Sequence, residues 1–172
     1  MKLLQTLVWP VPLVMISLML AGCNVRPGKV PHIVDADSAQ AVTVKTRSGP
    51  VVGASAAPGT AFLGIPYAAP PGGDLRWKPP EPPASWADPR GARKLGSACT
   101  QAISLNPGAG EGGGLPFGDE DCLFLNVYLP AAPPAAGNPL PVMAYLPGGA
   151  FVLGAGDNYD PSRLATEQNV VV

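Results

Sequence analysis

Residues able to do chemistry concentrate at Tyr145-Leu146-Pro147-Gly148-Gly149-Ala150-Phe151, which follows the apolar run Leu140-Pro141-Val142-Met143. Adjacent glycines directly after a buried strand let the backbone turn sharply and aim N–H groups into a cavity, because no Cβ blocks a ligand's approach. Such donors can hold an oxyanion, which is half of the machinery for cleaving a carboxylic ester; the other half is an attacking nucleophile with its base. No serine lies in Gly-x-Ser-x-Gly. The nearest match, Gly53-Ala54-Ser55-Ala56-Ala57, lacks the last glycine and belongs to an N-terminal hairpin instead of a strand-to-helix turn. The only histidine, His32, stands in a proline-punctuated stretch ahead of the domain and reads as a solvated residue. The nucleophile, acid and base of a triad are therefore expected to be absent from this chain, which is expected to be inactive alone and truncated in mid-strand at Val170 to Val172.

The elements that would position the turn can be read from alternation and breakers. Val42-Thr43-Val44-Lys45-Thr46, a Ser48-Gly49-Pro50 turn and Val51-Val52-Gly53-Ala54 predict a hairpin. Further strands are expected over Thr60 to Tyr67, Cys122 to Leu129 and Pro141 to Leu146. Proline and glycine exclude regular structure from Ala68 to Pro83, and Pro130 to Pro139 reads as a surface loop. Asp160-Pro161-Ser162-Arg163 predicts a helix start with Asp160 as N-cap and Pro161 as first helical residue; Asn169 ends it, and a buried strand begins at Val170. Antiparallel strands giving way to strand, helix and strand fit an α/β sheet.

Composition sets the class. The 21 glycines and 23 prolines invite a disordered reading, but 47% hydrophobic and 13% charged residues oppose the signature of chains that cannot collapse. With a net charge of −1 and no basic run, no phosphate-binding stripe is present, so nucleic acid is not an expected partner.

Residues 1–23 read as an export signal: Lys2 gives a positive start, Leu3 to Leu20 is mostly apolar, and Leu20-Ala21-Gly22-Cys23 resembles the lipobox of bacterial lipoproteins. That resemblance implies lipidation of Cys23 and a membrane-anchored location in the bacterial cell envelope. The alternative, a transmembrane anchor, is short for a span and is interrupted by Pro10 and Pro12. Residues 24–40, with Pro27, Gly28 and Pro31, read as a linker, and the domain is expected over 41–172.

Phe62-Leu63-Gly64-Ile65-Pro66-Tyr67-Ala68, Arg76-Trp77, Pro80-Glu81-Pro82, Trp86, Glu120-Asp121-Cys122-Leu123-Phe124-Leu125-Asn126 and Gly148-Gly149-Ala150-Phe151 resemble, in order, the motifs of type B carboxylesterases, the family that includes the cholinesterases. The resemblance covers about Val42 to Val172. It implies an α/β-hydrolase fold, of which this is the N-terminal portion, and hydrolysis of small carboxylic esters through a serine acyl-enzyme, without cofactor or metal. It also implies that Gly149 and Ala150 supply oxyanion donors. Two departures stand out: Pro147 replaces an aromatic residue or histidine, and Ala150 replaces a glycine, adding a Cβ that restricts the backbone. Cys99 and Cys122 match the family's first disulfide, and they form an even pair in an exported chain once Cys23 carries lipid. The alternative, free or metal-bound thiols, lacks nearby Cys or His to complete a zinc site. Arg76 and Glu120 resemble a buried structural ion pair of the family, the alternative being two solvated charges. A non-catalytic lipoprotein, or an adhesion module on the same fold, is the competing functional reading.

Overall fold

The structure, a computed structural model, describes residues 39–103, 115–131 and 137–172. The expectations for the signal segment, Cys23, His32 and the linker up to residue 38 fall outside these residues, as do the centres of the loops 104–114 and 132–136.

The expected hairpin is present. Strand β1 (Gln40–Lys45) pairs antiparallel with β2 (Pro50–Ala56), with Val42 opposite Gly53 and Val44 opposite Val51. Gln40, placed in the linker by sequence, already pairs with Ser55, so the strand starts two residues before the expected Val42. Thr46 closes the turn: its hydroxyl donates to the Gly49 carbonyl at 2.6 Å and accepts from the Ser48 and Gly49 N–H groups at 3.2 Å each. Trp86 adds a second hold, its indole N–H donating to the Pro50 carbonyl at 2.7 Å, which ties the proline-rich coil to the hairpin.

Strand β3 (Gly59–Pro66) returns antiparallel to β2. Short β4 (Arg90–Gly91) runs parallel beside β2, and β5 (Gln101–Ile103) pairs antiparallel with β6 (Leu115–Phe117) in a separate ribbon. Strand β7 (Phe124–Pro130) completes the main sheet in the order β1-β2-β3-β7. The β3–β7 register shifts between Phe62 and Ile65, where Gly64 has φ +67° and its missing Cβ leaves room for the Lys94 carbonyl.

Period-two alternation on β3 sends its residues to two cores. Ala61 and Leu63 pack with Ala54, Tyr128 and Ala165, whereas Phe62 packs with Val51 and Ala92 on the other face. The first cluster seats helix α1 (Ser162–Gln168), because alanines at 54, 61 and 165 let helix and sheet approach closely. The helix begins one residue later than the sequence suggests. Pro161 occupies the N-cap position, its carbonyl accepting from Ala165 at 2.9 Å, while the Asp160 carboxylate accepts from the Ser162 N–H at 2.9 Å and from its hydroxyl. Asn169 terminates the helix in the left-handed conformation, φ 52° and ψ 51°.

After α1 the chain enters the sheet. Val172 and Tyr128 exchange both backbone hydrogen bonds, at 2.8 and 3.0 Å, as in an antiparallel pair. On its other side Val171 donates to Pro141 and accepts from Met143, giving a parallel bridge to Val142. The strand expected over Pro141 to Leu146 reduces to that bridge: Pro141 lacks an N–H for a ladder, and no paired backbone flanks 144–146 among the described residues.

Candidate active site

Beyond Met143 the backbone leaves the sheet and coils. Gly149 has φ +145°, Ala150 φ 54° and Phe151 φ 63°, and the Gly149 carbonyl accepts from both Val152 at 3.0 Å and Leu153 at 3.1 Å. A Cβ on Gly149 would drive into the Leu153 carbonyl oxygen, so only glycine fits that position. Left-handed conformations at Ala150 and Phe151 cost about 1 kcal/mol each, so contacts elsewhere must offset them. The outcome is a tight coil whose Gly149 and Ala150 N–H groups find no acceptor among the described residues. Adjacent backbone N–H donors without a partner are groups able to bind an anion. Around them Leu146, Phe151 and Val152 are exposed, leaving the donors rimmed by apolar surface.

Two distant side chains brace this coil, and sequence reading assigned a role to neither. Gln101 on β5 accepts from the Gly154 N–H at 2.8 Å and donates back to the Gly154 carbonyl at 3.0 Å, with a further bond to the Cys99 carbonyl at 2.9 Å. Asn126 on β7 accepts from Gly64 at the β3 bulge, 2.9 Å, and donates to the Gly156 carbonyl at 3.2 Å. Asn126 stood within a recognised motif; Gln101 reaches across 53 positions, and no local pattern announces such a contact. Tyr145 and Tyr159, on either side of the coil in sequence, meet edge to face with centroids 5.7 Å apart.

The model of the carboxylesterase family matches residues 40–172. The chain belongs to the carboxylesterase family. It is 44% identical over 129 residues to fumonisin B1 esterase of Sphingopyxis macrogoltabida, covering 74% of this chain and 23% of that protein. It is 43% identical over 134 residues to para-nitrobenzyl esterase of Bacillus subtilis (strain 168), covering 75% of this chain and 26% of the relative. A solved PNB esterase superposes with a TM-score of 0.64 at 42% identity, covering 76% of this chain and 25% of that one. The fold is that of the α/β-hydrolases, and the chain spans about a quarter of the length of these relatives.

In this carboxylesterase chain Cys99 and Cys122 are joined by a disulfide with Cα atoms 4.9 Å apart. The bridge ties the residue two before Gln101 to the entrance of β7, so the coil's brace is itself anchored to the sheet. Arg76 and Glu120 do form an ion pair, but the burial suggested for it is corrected: the side chains are 52% and 53% exposed. Solvent screening limits such an exposed pair to under about 1 kcal/mol. Burial pushes the Tyr128 phenol up to about 12, with the Asp160 and Asp157 charges adding to the effect. Its hydroxyl is therefore neutral at ordinary pH. Among the described residues no group of three or more His, Cys, Asp or Glu side chains could hold a metal.

Proposed function

We propose that this chain is the N-terminal part of a lipid-anchored serine carboxylic-ester hydrolase, to which it supplies the oxyanion-binding coil. The reading is carried by the two unoccupied N–H groups of Gly149 and Ala150 in a family whose named relatives are esterases. When a nucleophile adds to an ester carbonyl, negative charge gathers on the carbonyl oxygen, and preorganised N–H groups hold that charge without first having to reorient. A serine in Gly-x-Ser-x-Gly and its acid and base would come from outside these 172 residues, because no serine here has that setting and His32 lies ahead of the domain.

The test joins this chain to a continuation that carries the serine elbow and measures hydrolysis of a short-chain nitrophenyl ester. A backbone ester at Ala150, lactic acid in place of alanine, removes one N–H donor while keeping the side chain, and is expected to lower turnover about a hundredfold or more, whereas the 172-residue chain alone should not turn over. Unchanged turnover in the folded ester variant would place the donors elsewhere. Anchoring is tested separately by fatty-acid labelling, which Cys23→Ser should abolish; equal labelling of that variant rejects a lipid at Cys23.

A further inference from the structure

The coil that carries the free donors is not held by its own sequence. It contains two non-glycine residues in the left-handed region, Ala150 and Phe151, and the exposed Phe151 ring buries nothing that would offset the cost. The internal bonds, Val152 and Leu153 to the Gly149 carbonyl, close one turn but leave its orientation to the sheet undetermined. Two side chains cross from the rest of the molecule to the coil, and of these Gln101 makes a pair of reciprocal bonds with Gly154. A primary amide matches a backbone peptide, one acceptor and one donor, and Gln101 uses both on a single residue as a paired strand would. The same NH2 group donates to the Cys99 carbonyl, which fixes the amide plane, and the Cys99–Cys122 bridge fixes that carbonyl against β7.

We infer that Gln101 is a positioning residue that docks the oxyanion coil by imitating a strand partner for Gly154, with the disulfide as its anchor. The chain of restraint runs from β7 through Cys122 and Cys99 to Gln101, then Gly154, whose close approach to the Gly148 carbonyl sets the Gly149 turn. Asn126 supplies a second hold two residues further along, at Gly156. The catalytic value of this docking rests on the oxyanion reading given above; the docking itself does not.

Amide hydrogen exchange on the full chain tests it. Gln101→Met keeps the length of the side chain but neither bond, and the Gly154 amide is expected to exchange about tenfold faster, as for loss of one protein hydrogen bond. Gln101→Glu keeps an acceptor for that N–H but, while ionised, turns its second oxygen towards the Gly154 and Cys99 carbonyls; protection relative to the native chain should be lost at neutral pH and return when the carboxyl group is protonated, a rescue that side-chain bulk alone would not predict. The Leu63 amide, which donates to Ala92 at 2.8 Å inside the sheet, reports whether the fold is intact and should be unaffected in both variants. Unchanged Gly154 exchange in folded Gln101→Met overturns the inference, as does exchange in Gln101→Glu that does not respond to protonation of the carboxyl group. Faster exchange in Gln101→Met, with unchanged turnover in the Ala150 backbone-ester form of the extended enzyme, upholds the docking and removes only the oxyanion assignment.

Discussion

Within the β1-β2-β3-β7 sheet each strand meets the hydrogen-bonding needs of its neighbour, and side chains two apart share a face, so backbone pairing and apolar burial call for the same register. Between Pro147 and Gly156 these two forces part company. The coil's apolar side chains face outward and its backbone is held by amide side chains from other strands. Stability in the first region is therefore stored in buried area, and in the second in a few directional bonds. The comparison teaches that a small number of polar contacts can dictate the shape of a site to which they add little stability.

The largest expected effect lies in the sheet. Leu63 is 1% exposed between the alanines and Tyr128, and Leu63→Ala should cost about 3 kcal/mol in urea unfolding; a loss below about 1 kcal/mol would mean that the core relaxes as freely as the coil. Next comes the disulfide, which joins positions 23 apart. Replacing both Cys99 and Cys122 by Ser should lower stability by about 2–3 kcal/mol through the entropy of the opened loop. It should also speed exchange at Gly154, whereas a stability loss with Gly154 still protected would separate the bridge from the coil.

A smaller effect should appear only in alkaline solution. The phenol of Tyr128 titrates near 12 in the fold against an ordinary 10, so the folded state binds that proton more tightly than the unfolded state does. Its contribution is present in full below pH 10 and is lost as the pH rises towards 12. Tyr128→Phe should remove that portion of the alkaline decline in the unfolding midpoint; identical pH profiles would show that the ring is not desolvated in solution. The smallest change is expected at Phe151. Phe151→Ala should leave stability within about 0.5 kcal/mol, and a larger loss would mean that the coil buries more than its exposed ring indicates.

Much of the sheet was legible because its signals are local. Alternation over Val42 to Ala54 and a turn at Ser48-Gly49-Pro50 specify a hairpin whose partners are neighbours in sequence. The helix start was legible to within one residue, since Asp160 bonds to Ser162 whichever residue is counted as the cap. Pro141 to Leu146 read as a full strand because apolar residues in a row look alike whether they pair along their length or at one point. Burial of Arg76 with Glu120 failed similarly, because ion-pair burial depends on what covers the pair.

Residue types by themselves determined the hairpin, the irregular proline-rich stretch after Ala68 and the small-residue turn at 148–150, because each follows from dihedral limits or from contacts a few positions apart. Tertiary structure decided that Gln101 and Asn126, of no marked local propensity, take the backbone of that turn in hand, and that Val171 and Val172 enter between β7 and the bridge at Val142. A hydrogen bond across 53 positions exists only after the chain has closed on itself, so its donor and acceptor leave no pattern along the sequence.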